Sequence, residues 1–157
     1  MKKEKPWIWL DLEMTGLDPV LNAILEIALV ITNDKCDVLM PPKNYVVWQE
    51  ESVLSKMNPT VRDMHQSTGL IEKVRTAKFD LRDIERMILK EIQRYAGIGE
   101  APLCGNTIGQ DRKFIERYMP QLSGYFHYRS IDVTSIKLVS QAWYGIEYQK
   151  PESKKHT

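Results

Sequence analysis

Cysteine is nearly missing from this sequence. The 157 residues hold two, Cys36 and Cys104, in no CxxC spacing, which excludes a disulfide framework and a thiolate zinc site. Both are expected to be reduced core thiols in a cytoplasmic protein. Net charge is missing too: 22 Lys and Arg against 21 Asp and Glu leave a formal +1. Such a surface cannot hold long duplex DNA by counterion release, so a nucleic-acid substrate would have to be short or gripped locally. Long apolar runs are also absent. The opening run, Trp7-Ile8-Trp9-Leu10, meets Asp11 after four residues, far too few for a signal peptide or a membrane span. No repeat, low-complexity tract or linker divides the chain, and its 43% hydrophobic content suits one globular domain with a proper core.

What is present is a set of short strands followed by alternating helices and strands. Residues 7–12, rich in Trp and Ile, read as a strand, as does the apolar run 23–32. The stretch 36–49 alternates imperfectly around Pro41-Pro42, which predicts a kinked edge strand. Together these suggest an antiparallel meander, with residues 33–35 (NDK) as turn chemistry. Asn58 and Pro59 start a helix that Gly69 ends. A clearer helix spans 80–97, capped by Asp80, with Leu81, Ile84, Met87, Ile88 and Ile92 on one apolar face. Residues 101–106 form a short buried strand, 110–119 a helix closed by Pro120, 125–133 a strand, and 134–145 a helix ending at Gly145. This order predicts an α/β domain with a mixed sheet.

Two carboxylates stand out at the end of the first strand. Side chains two apart on a strand share a face, so Asp11 and Glu13 project together. Their mutual repulsion is relieved if a cation lies between them, and a hard divalent ion suits oxygen ligands. A D-x-E triplet alone also fits two solvated side chains at a strand terminus. Asp111 opens a helix after "LCGNTIGQ", where the helix dipole favours an acid in any case. Its strand-end placement, however, matches that of Asp11, and clefts in open α/β sheets lie at strand ends.

Read together, "WLDLEMTGLDP", "LCGNTIGQDRKF", "YFHYRSIDVTSIK" and "SKKHT" resemble the corresponding segments of the oligoribonuclease family. Those enzymes sit in the histidine-containing branch of the DEDD superfamily of 3′→5′ exonucleases. The resemblance implies a ribonuclease H-like fold with a mixed five-stranded sheet flanked by helices. It also implies a homodimer that hydrolyses short RNA oligonucleotides, down to dinucleotides, to mononucleotides. By that likeness Asp11, Glu13 and Asp111 hold two divalent ions, Mg2+ or Mn2+, and His156 is the general base. Leu17 matches a residue that packs on a base, and His65 one near the 3′ end. Thr107, Arg129 and Thr134 match a group that caps a terminal phosphate, and Tyr128 one that reaches the neighbouring subunit's site. Asp132 matches a buried structural carboxylate.

The sequence departs from the family at two places. An aromatic residue that stacks on a base aligns with Thr60, so weaker grip or a substitute such as Trp48 is expected. The fourth Asp and closing helix are absent from 1–157, and the natural chain is expected to continue past Thr157. Two other readings stay open. "DLEMT" is similar to the D-x-D-x-T of haloacid-dehalogenase-type phosphatases, with Asp11 as nucleophile. A nucleotide-binding module without catalysis would also retain the pocket.

Overall fold

In the computed structural model, which describes residues 5–150, β1 (Trp7–Met14) is the centre of a five-stranded sheet. It pairs antiparallel with β2 (Ile24–Thr32), which pairs antiparallel with β3 (Val38–Val46). On its other side β1 runs parallel to β4 (Leu103–Gly105), and β4 runs parallel to β5 (Ser130–Asp132), giving the order β3-β2-β1-β4-β5. The expected mixed sheet is therefore present. Period-two alternation divides β1: Ile8, Leu10 and Leu12 enter the core, while Trp9, Asp11 and Glu13 take the opposite face.

Helices cover the core face. From α4 (Leu81–Ile92) come Ile84, Ile88 and Ile92, and from α5 (Ile108–Tyr118) come Phe114 and Ile115, all at 0–1% exposure against β1 and β2. Each such side chain contributes about 1.5–3 kcal/mol when fully buried, so this layer fixes where α5 stands. A smaller cluster joins Leu25 of β2 to three short helices, α1 (Glu51–Leu54), α2 (Pro59–Ser67) and α3 (Leu70–Thr76). The caps are as anticipated: Asn58 Oδ1 accepts from Val61 N, Pro59 takes the first helical position, and Asp80 Oδ1 accepts from Asp83 N.

Several details differ from expectation for local reasons. Gly69, at φ 73°, both ends α2 and turns the chain directly into α3. Met87 sits on the rim of the α4 stripe and is exposed, whereas Glu85 is buried because its carboxylate accepts from Leu122 N of α6 (Pro120–Ser123). The strand read over 125–133 shrinks to β5, since β4 offers only three residues to pair with. Cys36 is no core thiol: it lies exposed in the turn after β2 at φ 67°. Cys104 is buried, and burial pushes its thiol up to about 12, out of the range of a nucleophile. Pro41 and Pro42 coincide with a register shift, where Leu29 pairs with Lys43 but Ile31 pairs with Met40. Among the described residues, no helix is long and apolar enough to cross a membrane.

Candidate active site

The site is built where β1 ends. Thr15 closes the strand: its N–H donates to Ala23 O at 2.9 Å, and its hydroxyl accepts from Ala23 N at 3.0 Å. Gly16 follows and leaves room for the Asn22 side chain, whose Oδ1 accepts from Asp18 N and would lie 2.5 Å from a Cβ at Gly16. The loop from Gly16 to Asn22 is held to α5 by Tyr118, whose hydroxyl lies 2.8 Å from both Pro19 O and Asn22 O and shares its single proton between them, and by Gln110, which donates to Leu17 O. Neither tether was visible in the sequence, since both join residues more than ninety positions apart.

Asp111 lies in the first turn of α5 and is buried at 6% exposure. Leu12 N–H donates to its Oδ1 at 3.1 Å, which anchors the carboxylate between the residues that carry Asp11 and Glu13. Burial is the main cause that lifts its pKa from 3.8 to about 6; the charges of Asp11 and Glu13 push in the same direction, and the Leu12 N–H opposes them. Three acids from two distant stretches thus share one electrostatic field. Gly105 permits this approach, because a Cβ there would lie 3.0 Å from Leu10 O and 2.7 Å from Ile108 Cδ1.

His65 joins them from α2. It is 2% exposed, its Nε2–H donates to Met14 O at 2.8 Å, and its Nδ1 stands 3.9 Å from Glu13 Oε2. The carbonyl can only accept, so the proton belongs on Nε2. His65 therefore locks the strand end and faces Glu13.

A cleft of about 580 Å³ opens on the sheet face that bears Asp11, lined also by Trp9, Gly105, Asn106 and Lys137. Asp11 is the one acidic side chain among its lining residues. Asp11, Glu13 and Asp111 are oxygen donors of the kind a hard divalent cation takes: a buried carboxylate repelled by two others gains most when a cation neutralises them. Among the described residues, no group of three or more His, Cys, Asp or Glu side chains is placed to hold a metal ion as it stands. The acids share a field and not a finished coordination shell.

The other expected residues fall into two groups. Thr107 and Thr134 meet, with hydroxyl oxygens 2.8 Å apart. Asp132 organises them, its Oδ1 accepting from Thr107 N and Thr134 N at 2.9 Å each; it is half-buried, not buried as the likeness implied. Thr107 takes φ 55°, a left-handed conformation unusual for a β-branched residue. Arg129 is turned onto the exposed Tyr128, its guanidinium carbon 5.4 Å from the ring centroid, and His127 stacks on the same ring at 4.5 Å. Leu17 is 73% exposed. Trp48 instead lines a separate cleft of about 340 Å³ with Val53, Asp80 and Arg82, and Thr60 is exposed on α2. His156 lies outside the described residues.

A family model described as Exonuclease (RNase_T) matches residues 8–157. The oligoribonuclease of Coxiella burnetii (strain RSA 493 / Nine Mile phase I) is 42% identical over 136 residues, covering 87% of this chain and 74% of that protein. That of Paracidovorax citrulli (strain AAC00-1) is 40% identical over 157 residues, covering 99% and 81%. Among solved structures, product-bound exonuclease I superposes with a TM-score of 0.66 at 15% identity, over 96% of this chain but 35% of that one. This chain thus spans about a third of exonuclease I, and the likeness establishes the ribonuclease H-like fold alone. The sequence relatives establish more: the chain belongs to the RNase_T exonuclease family and, within it, to the oligoribonucleases.

Proposed function

We propose that this chain is a 3′→5′ exoribonuclease that hydrolyses short oligoribonucleotides, down to dinucleotides, to mononucleotides. Residues 1–157 belong to a single exonuclease domain, without the fourth Asp and closing helix of the family's pattern, in a cytoplasmic homodimer. The observation that carries the reading is the bond from Leu12 N to Asp111 Oδ1, which brings a third carboxylate to Asp11 and Glu13. A phosphatase with Asp11 as nucleophile gives that buried acid no task.

Asp11, Glu13 and Asp111 would hold two ions, magnesium or manganese. When bound, such ions neutralise the phosphodiester and acidify the attacking water. The remaining work belongs to the chain. His65 keeps Glu13 and the strand end in place. Thr107 and Thr134, backed by Asp132, present two hydroxyls to a terminal phosphate, and Arg129 can swing from Tyr128 to add a planar fork of donors. Leu17, projecting into solvent, offers an apolar surface to a base. His156 is the residue type suited to take the proton of the attacking water near neutral pH.

Support for the homodimer comes from α7 (Val133–Tyr144), which buries no residue in the protomer while Ile136, Leu138, Trp143 and Tyr144 stand 58–72% exposed. The 75% exposure of Tyr128 supports its reading as a residue that acts in trans. An end-labelled RNA dinucleotide incubated with the full-length chain and magnesium or manganese tests the activity. Release of mononucleotide that vanishes in Asp11→Ala is expected; no release, or equal release by the variant, refutes it. Mixing Asp11→Ala with Tyr128→Ala protomers tests the trans role. Each alone should be weak, and exchange of subunits should restore a site with both groups intact. Failure of the mixture to regain activity would assign Tyr128 to its own protomer.

A further inference from the structure

We infer that Gln110 and Tyr118 are positioning residues that hold Leu17 where it meets a substrate base, so that α5 places the base as well as the third acid. The inference rests on the reading of Leu17 as a base-packing residue, and names what keeps it in place.

Leu17 cannot hold itself. It is 73% exposed, so burial does not fix its side chain, and its place depends on the backbone beneath it. The loop that carries it is bonded internally. Asp18 N donates to Asn22 Oδ1 at 3.0 Å, Asn22 N to Asp18 O at 2.8 Å, and Val20 N to Asp18 Oδ1 at 2.8 Å. These bonds shape the loop without setting its angle to the acids. Three of its carbonyls do that. Leu17 O accepts from Gln110 Nε2, while Pro19 O and Asn22 O share the Tyr118 hydroxyl proton.

Both donors stand on α5, eight positions apart, which is about 12 Å along a helix. The loop is therefore gripped at two separated points, and a body held so cannot pivot about either one. Each donor is anchored in turn. The Tyr118 ring stacks on that of Phe114, centroids 6.2 Å apart, and Phe114 is fully buried. Gln110 immediately precedes Asp111, whose carboxylate accepts from Leu12 N at 3.1 Å. One helix thus carries the third acid and both grips on the loop, which keeps base and acid at a constant separation. Slackening the grips weakens the base contact in the ground state and the transition state alike, so KM rises and kcat stays in place.

The test uses the full-length chain, magnesium, an RNA dinucleotide, and two analogues that each lack one of its bases. Gln110→Met keeps the length of the side chain and removes the donor. Tyr118→Phe keeps the ring on Phe114 and removes the hydroxyl. On the dinucleotide each should raise KM about threefold and the double variant about tenfold, the size of one and two lost hydrogen bonds, with kcat within about twofold. Leu17→Ala should raise KM as well, and the analogue that no longer registers it lacks the base in question. On that analogue the double variant should match the parent. Adding Leu17→Ala to the double variant should cost little more on the dinucleotide, because both remove one contact. If the double variant does not fold, either single variant gives the same comparison at smaller size. An unchanged KM on the dinucleotide overturns the inference, as does a loss that falls on kcat or is equal on all three substrates, the mark of a displaced acid. A Leu17→Ala that matches the parent on the dinucleotide removes the base-packing reading and the inference with it. A parent that cleaves no dinucleotide removes the exonuclease reading itself.

Discussion

Replacing Asp111 by Asn should lower dinucleotide cleavage by roughly 10³-fold and, in the metal-free protein, raise the unfolding temperature. The two effects have one cause. The folded-state pKa of Asp111 is raised from 3.8 to about 6, so the folded form binds this proton more tightly than the unfolded chain does. The group's favourable contribution is complete below about pH 4 and is lost as pH climbs to about 6; at pH 7 the ionised carboxylate weighs against folding. A shift of that size corresponds to something on the order of 1–3 kcal/mol. Asn keeps an oxygen to accept from Leu12 N and discards the charge, so the metal-free variant regains that stability. Adding magnesium or manganese should stabilise the parent more than the variant. The parent's gain should also shrink below about pH 6, where protons compete with the ions for Asp111. Thermal melts at pH 5 and pH 7, with and without the ions, read all of this. A variant less stable than the parent at pH 7 would mean that the three acids do not strain the fold.

The second large effect is expected at Gly105. An added methyl meets Leu10 O at 3.0 Å and Ile108 Cδ1 at 2.7 Å. The isoleucine tip can turn aside, but the backbone carbonyl cannot, so Gly105→Ala pushes β4 and the start of α5 away from β1. Asp111 moves with them. Overpacking of this kind destabilises by about 1–3 kcal/mol, and a displacement of a few tenths of an ångström at Asp111 lowers turnover by less than the roughly 10²-fold that a 1 Å misplacement costs. Gly109 provides the contrast. It lies in α5, and nothing comes within 4 Å of a Cβ placed there, so Gly109→Ala should gain stability through helix propensity, about 0.5–1 kcal/mol. Full activity in a destabilised Gly105→Ala would show that this contact does not set the position of Asp111.

How much of this was legible in the sequence depends on distance along the chain. Asp11 and Glu13 could be paired at once, because strand periodicity places them on one face. Asn58-Pro59 and Asp80 announced their helices by local chemistry, and the Pro41-Pro42 irregularity falls where it was expected. What stayed hidden was non-local. Glu85 falls outside the apolar stripe of α4, and its burial follows only from Leu122 N on its carboxylate. The double role of Asp132 needs both Thr107 and Thr134 in view. Gly69 was rightly seen to end a helix, but nothing local said that the same left-handed residue would start another. The third acid was proposed from its neighbours and a likeness; its burial and its bond to Leu12, 99 positions away, came only from the fold.

The two rims of the sheet bear on how copies of the molecule can meet. At one rim Pro41 and Pro42 withhold amide donors just where the pairing slips, and at the other β5 spans only three residues. Neither offers the long unbroken ladder on which an incoming chain could zip and propagate. In the proposed homodimer, recognition would then fall to side chains, above all the outward aromatic and aliphatic groups of α7. Such a surface saturates once it is matched, which favours a small closed assembly over a growing fibre.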